Sequence, residues 1–205
     1  MGFQHSFLVN LMIRHRIASF IGLISVFGFK LFGQVDTVVF LSLASFQDES
    51  EWRFHVPKPE EEISSIELER GYLRKRWTTD RICTDWDCEF GETRGFVRLK
   101  WKNKANDWEA RFGNEYLSFA PIWRGQFDQW RVEWKGKEYK IKLELDNDGI
   151  AYVLFDQKQA IAQSYNRFFG EFEDWIIETN GDVSPEQILV LSFISIYYGL
   201  IINAQ

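Results

Sequence analysis

Little in this chain advertises chemistry. Its 205 residues include two cysteines and three histidines, far short of the density that marks a disulfide framework. Cys83 and Cys88 lie in Cys-Thr-Asp-Trp-Asp-Cys, with His5, His15 and His55 at no ligand spacing from them, so the pair is incomplete as a metal site. A bridge between the two is geometrically open if residues 84–87 turn. Free thiols are the expected state. There is no Gly-x-Ser-x-Gly elbow, no His-Glu-x-x-His, no Walker loop and no Gly-x-Gly-x-x-Gly opening a helix. Nothing therefore nominates an enzyme, a catalytic residue or a cofactor. Positive charge is also scarce: the net charge of −6 disfavours a general nucleic-acid binder. It leaves a membrane-surface role only where basic residues segregate locally. No internal repeat or low-complexity segment breaks the chain.

What is present is aromatic and patterned. Aromatic residues make up 17% of the chain, with 19 Phe and 9 Trp, as wide β surfaces and barrel interiors favour. The run from Ile188 to Ile202 carries no charged side chain on any face. Ser184 fits an N-cap, Pro185 fits the first helical position, and Gln187 completes a Ser-x-x-Gln capping box. A helix apolar all round, with Leu189, Leu191, Phe193, Ile196, Leu200 and Ile202, must be enclosed by protein or by lipid.

The segments ahead of it alternate at period two between turn residues, the pattern of antiparallel strands with one wet face. Trp130 to Trp134 and Glu138 to Leu145 read as a hairpin turned by Lys135-Gly136-Lys137. Asp146-Asn147-Asp148-Gly149 leads to a strand over Ile150–Phe155, Asp156-Gln157 breaks it, and Ala160–Tyr165 follows. Phe172–Thr179 makes one more strand, ended by Asn180-Gly181. Further upstream, Ile63–Glu69, Tyr72–Thr78 and Gly95–Trp101 each read as strands.

The segment from Ile150 to Gln163, then Trp175-Ile176-Ile177-Glu178, then the apolar helix, resembles the tubby C-terminal-like superfamily, nearest its LURP-one-related and phospholipid scramblase-like branches. The resemblance covers roughly the last half of the chain. It implies a mainly β fold, a closed antiparallel barrel threaded by the C-terminal hydrophobic helix at about residues 185–202. Such a helix can fill a barrel whose strands pair all their own edges. The competing reading is a C-terminal membrane anchor. Ile188–Ala204 only approaches the roughly 17–25 residues of a span, and no basic residue flanks it.

Residues 1–50 form a hydrophobic N-terminal segment with several readings. Arg14-His15-Arg16 ahead of the apolar Ile17–Phe29 has the layout of a secretory signal, or of a membrane span if Lys30 snorkels. Alternatively these are early strands, since Val38-Val39-Phe40-Leu41 is β-rich. The polar stretch Gln47–Glu51 and the proline-rich acidic Val56–Glu62 place a boundary, with the barrel domain at 51–205.

Two clusters are candidates for binding. Glu171, Glu173, Asp174 and Glu178 lie where the scramblase-like resemblance implies an acidic calcium-responsive segment, but they lack the spacing of a calcium loop and read as alternating exposed carboxylates. Asp146-Asn147-Asp148-Gly149 reads as a turn. Arg70, Arg74, Arg76 and Arg81 are the candidate lipid or anion contacts. On a strand Arg74 and Arg76 share one face while Lys75 points to the other, and guanidinium forks suit phosphate. Lys140 and Lys142 share a face flanked by Glu138 and Glu144.

The expected function is a non-enzymatic binding or scaffold barrel that contacts anionic lipid headgroups or a protein partner at a membrane. Its expected location is the cytoplasm, with the N-terminal segment as the means of membrane association. Two alternatives are a barrel holding a small apolar ligand and an integral membrane protein with spans at both ends. Lipid scrambling finds no polar membrane path in these residues.

Overall fold

A computed structural model describes residues 37–45, 48–57, 67–76, 83–101, 106–146, 149–167 and 173–203. The compact unit that carries the barrel runs from Gln34 to Gln205. Its strands are β1 (Thr37–Ser45), β2 (Asp48–Pro57), β3 (Glu67–Lys75), β4 (Asp85–Phe90), β5 (Thr93–Leu99) and β6 (Trp108–Phe112). They continue as β7 (Glu115–Pro121), β8 (Gln129–Trp134), β9 (Lys137–Asp146), β10 (Gly149–Asp156), β11 (Gln159–Asn166) and β12 (Asp174–Thr179). One helix, α1 (Pro185–Asn203), follows.

Every strand pairs antiparallel with its sequence neighbours, and β1 pairs with β12 to close a twelve-stranded barrel. Closure removes the exposed edges that an open sheet would leave. The expected closed antiparallel barrel is the fold observed.

Alternation sets which side chains line the interior. Along β8, Trp130, Val132 and Trp134 are buried and point inward, while Arg131 and Glu133 are exposed. The same period puts Trp86 and Cys88 of β4 inside, between Asp85, Asp87 and Glu89 outside. Helix α1 occupies the space enclosed. Its capping box is formed: the Ser184 N–H donates to Gln187 Oε1 at 2.9 Å, and the Gln187 N–H donates to Ser184 Oγ at 3.4 Å.

From Ile188 to Tyr197 every side chain is buried, and the helix touches walls on opposite sides. Phe193 packs edge-on against Trp86 of β4 at 5.5 Å, Trp108 of β6 at 4.8 Å and Phe119 of β7 at 5.6 Å. Tyr198 meets Tyr152 of β10 at 5.4 Å, and Ser195 Oγ shares a 2.9 Å hydrogen bond with Ser164 Oγ of β11. Ser192 and Ser195 also donate to the carbonyls of Ile188 and Leu191, so their buried hydroxyls are satisfied.

Several expected boundaries move. β1 falls inside the stretch 1–50, and the barrel therefore begins ahead of residue 51. The polar Gln47–Glu51 stretch is no domain boundary, because Asp48 to Glu51 already belong to β2, which pairs with β1. The early-strand reading holds for Val38-Val39-Phe40-Leu41, while Ile17–Phe29 lies outside the described residues. Ile63–Glu69 and Tyr72–Thr78, expected as two strands, contribute to the single strand β3, which runs through Gly71 opposite a register shift at Phe54/His55.

Cys83 and Cys88 are free, and both are buried. Burial pushes the Cys88 thiol far above its ordinary value, with Asp87 adding to the rise. Neither thiol should react with an aromatic disulfide reagent while the barrel is folded, and both should react in denaturant. Fast labelling of the native protein would show that the β4 region opens readily.

Candidate binding surface

Among the described residues the barrel interior is taken up by α1, buried from Ile188 to Tyr197 and packed through Phe193 on Trp108 and Phe119, so the space a lipocalin-type barrel gives to a small apolar ligand is held by the chain's own helix. The C-terminal anchor falls, since the apolar helix is sheathed by strands. Among the described residues no helix is long and apolar enough to cross a membrane. Function therefore has to be sought on the outer wall and at the two rims.

On the wall from β2 to β6, cations are largely matched by carboxylates. Arg53 bridges Glu51 at 2.9 Å and Glu69 at 3.0 Å. Arg94 meets Glu89 at 2.9 Å, and Arg98 contacts Glu109. Burial alone would raise the Glu109 carboxyl, but hydrogen bonds from Tyr116 and Arg98 hold it below the usual range.

Two of the four predicted arginines, Arg74 and Arg76, sit within this lattice. Arg74 and Arg76 do share the outer face, and Lys75 points inward, its Nζ 5.7 Å from the Trp52 ring and 5.8 Å from the Trp86 ring. Arg74 lies 3.9 Å from Glu51, and Arg76 is bonded to Asp87 at 2.8 Å. Arg70 is exposed. Arg81 lies outside the described residues. The structure thus brings Arg74 and Arg76 to one face but gives each an acidic neighbour.

A different group of cations is less engaged. Lys140 and Lys142 on β9, Phe155 at the end of β10, and Gln157 and Lys158 in the β10–β11 turn line a cleft of about 500 Å³. Lys142 Nζ lies 5.3 Å from the Phe155 ring centroid, within cation–π range. Lys140 reaches Glu138 only at 4.0 Å. Among the described residues no ion pair engages Lys142 or Lys158. Register explains the convergence, because Phe155 pairs with Lys140, and Lys142 lies two residues along the same outer face. Gln157, at φ 56°, takes the left-handed conformation that turns Lys158 back beside them. The shared face of Lys140 and Lys142 was visible in the sequence. Phe155 and Lys158 were not, because their nearness depends on the β9–β10 register.

The carboxylate group before α1 also changes character. Glu178, expected to be exposed, is 5% exposed and accepts hydrogen bonds from Gln163 Nε2 at 2.7 Å and Tyr165 Oη at 2.9 Å. Burial and the nearby carboxylate push the Tyr165 phenol well above its ordinary range. Glu171 and the turn residues Asn147 and Asp148 lie outside the described residues. Among the described residues no group of three or more His, Cys, Asp or Glu side chains is placed to hold a metal ion.

Compared with known proteins, the chain matches no family model, no curated protein and no solved structure.

Proposed function

We propose that this chain is a non-enzymatic binding or scaffold barrel that meets anionic phospholipid headgroups with its outer wall. The carrying observation is the cleft of Lys140, Lys142 and Lys158 around Phe155, where ammonium groups gather on an acidic protein. The α1 helix in the lumen supports the same reading, since it takes the interior space a ligand would otherwise occupy. Lysine ammoniums act as compact point charges toward phosphate, and each basic residue near an anionic leaflet contributes about 1 kcal/mol. Arg70, Arg74, Arg76 and Arg81 stay within the proposal as a second set of contacts. Arg74 and Arg76 have to exchange existing acidic neighbours to serve. Kinship with the tubby C-terminal-like superfamily belongs to the proposal too: a barrel around a C-terminal helix is what that likeness implies.

Vesicles of phosphatidylcholine with and without phosphatidylserine test it. Retention of the protein should rise with the anionic lipid, and that increase should fall with salt. Lys140→Gln with Lys142→Gln should weaken it roughly 30-fold, from about 2 kcal/mol of lost attraction. Arg74→Gln with Arg76→Gln should weaken it less. A larger loss from the arginine pair moves the site to β3, and indifference to both pairs removes the outer-wall mechanism.

A further inference from the structure

Antiparallel order fixes which loops share an end of the barrel. β5, β7 and β9 all run toward one rim, so the β5–β6, β7–β8 and β9–β10 connections lie there together. Five large apolar side chains are exposed among the described residues: Trp101 at 54%, Tyr116 at 53%, Ile122 at 38%, Trp123 at 61% and Leu145 at 71%. Four of the five belong to that one rim. Trp101 follows β5, Ile122 and Trp123 follow β7, and Leu145 is the next-to-last residue of β9. Tyr116 sits at the opposite end, where its hydroxyl donates to Glu109 at 2.8 Å.

The rim is built to present these side chains. The Ile122 N–H bonds the Gln129 carbonyl at 2.9 Å, and the Gln126 N–H closes a turn onto the Trp123 carbonyl at 3.1 Å. Gly125, at φ 77°, supplies the left-handed residue such a turn needs at its third position. At the base of the β5–β6 loop the Lys100 N–H bonds the Asp107 carbonyl at 2.7 Å. Trp123 is thus held outward by backbone that is already ordered. Each exposed indole also has a cation beside it in the chain, Lys100 before Trp101 and Arg124 after Trp123. Both cations are exposed, and among the described residues neither forms an ion pair. Among the described residues the carboxylates near this rim include Asp107, Asp128 and Glu144, all partly buried, and Asp146, which ends β9 beside Leu145.

Neighbouring strands lie about 4.8 Å apart, so loops two strands apart are separated by roughly 10 Å and the apolar tips form an arc of about 20 Å. Such spaced knobs suit a soft, deformable layer better than a folded partner, which would need a matching pocket for each. Indoles favour the level where hydrocarbon meets headgroup, with cations against the phosphates. We propose that this rim is a membrane-contact edge: Trp101, Ile122, Trp123 and Leu145 enter the interfacial layer of a phospholipid surface while Lys100 and Arg124 meet its phosphates. This goes beyond the outer-wall reading and rests on it for orientation only. β9 links the two surfaces, because Lys142 lies about 10 Å along the strand from Leu145.

The full-length protein should be titrated with phosphatidylcholine and phosphatidylcholine/phosphatidylserine vesicles carrying brominated acyl chains. No tryptophan precedes Trp52, so the first 51 residues contribute no indole signal. Tryptophan fluorescence should be quenched in high salt as well as low, and Trp101→Ala with Trp123→Ala should remove that quenching and weaken salt-resistant binding about tenfold. Lys140→Gln with Lys142→Gln should reduce only the salt-sensitive part. Unquenched indoles in bound wild-type protein would overturn the rim assignment and leave the lysine-dependent reading standing. A Trp123-dependent dimer forming without lipid would overturn it in favour of a second copy on the same edge.

Discussion

A chain ending at Val183 should show no cooperative thermal transition and should bind a hydrophobic dye. The helix it lacks buries every side chain from Ile188 to Tyr197 inside the barrel. At about 1.5–3 kcal/mol for each large apolar side chain, this is on the order of 10 kcal/mol or more. That matches or exceeds the roughly 5–15 kcal/mol by which a domain is stable at all. The point version is Phe193→Ala. Its ring faces Trp86, Trp108 and Phe119 and stacks on Tyr197 at 5.7 Å, so truncation leaves a void that four aromatic walls cannot close. A loss of about 3–5 kcal/mol is expected from denaturant melts. Cooperative unfolding of the truncated chain would mean the strands hold their circle without a filling.

The second large effect comes from two glycines. A Cβ at Gly95 would lie 1.9 Å from the Arg111 carbonyl oxygen, and one at Gly71 would lie 1.9 Å from that of Glu89. In both places the neighbouring strand's backbone occupies the space a side chain needs, as happens where a sheet bends sharply to close. Backbone cannot rotate aside as a flexible side chain can. Gly95→Ala and Gly71→Ala should therefore each cost about 3 kcal/mol, near the upper end for overpacking, and lower the midpoint in urea. Gly113→Ala is the control: nothing lies within 4 Å of its Cβ position, and its cost is only that of a positive φ. Equal melts for all three would show that the strands can spread to admit a methyl group.

The elements legible in the sequence were those with strict alternation and strong turns. β8 and β9, joined through Lys135 and Gly136 at φ 51° and 73°, and then β10 and β11, were plain from period two alone. α1 was plain from its capping box and its lack of charge. β4 was hidden because Asp85-Trp86-Asp87-Cys88-Glu89-Phe90 was read for its cysteines and not for its alternation, which is as regular as that of β8. β2 was hidden by the acidic residues that open it and by Pro57, which closes it. Gly71 falls between the two strands expected there and lies instead inside the single strand β3, opposite a register shift. For the binding surfaces, the sequence displays charge but not its partners. Arg74 and Arg76 looked free because Glu51 and Asp87 are distant in the chain. The exposed indoles could not be told from those inside, since Trp101 extends the same alternation as Val97 and Leu99, and only the end of β5 leaves it uncovered.

The seam between β1 and β12 joins Thr37 to Thr179, and α1 follows both in the chain. On the ribosome, at roughly 5–20 residues per second, β1 therefore waits on the order of ten seconds for its mate. Any sheet formed within that interval would be an open ribbon, with two unpaired borders and a greasy concave side that has nothing to hold. Sealing and filling are therefore expected to come late and nearly together, which would make the newborn chain a client for a chaperone that shields strand borders.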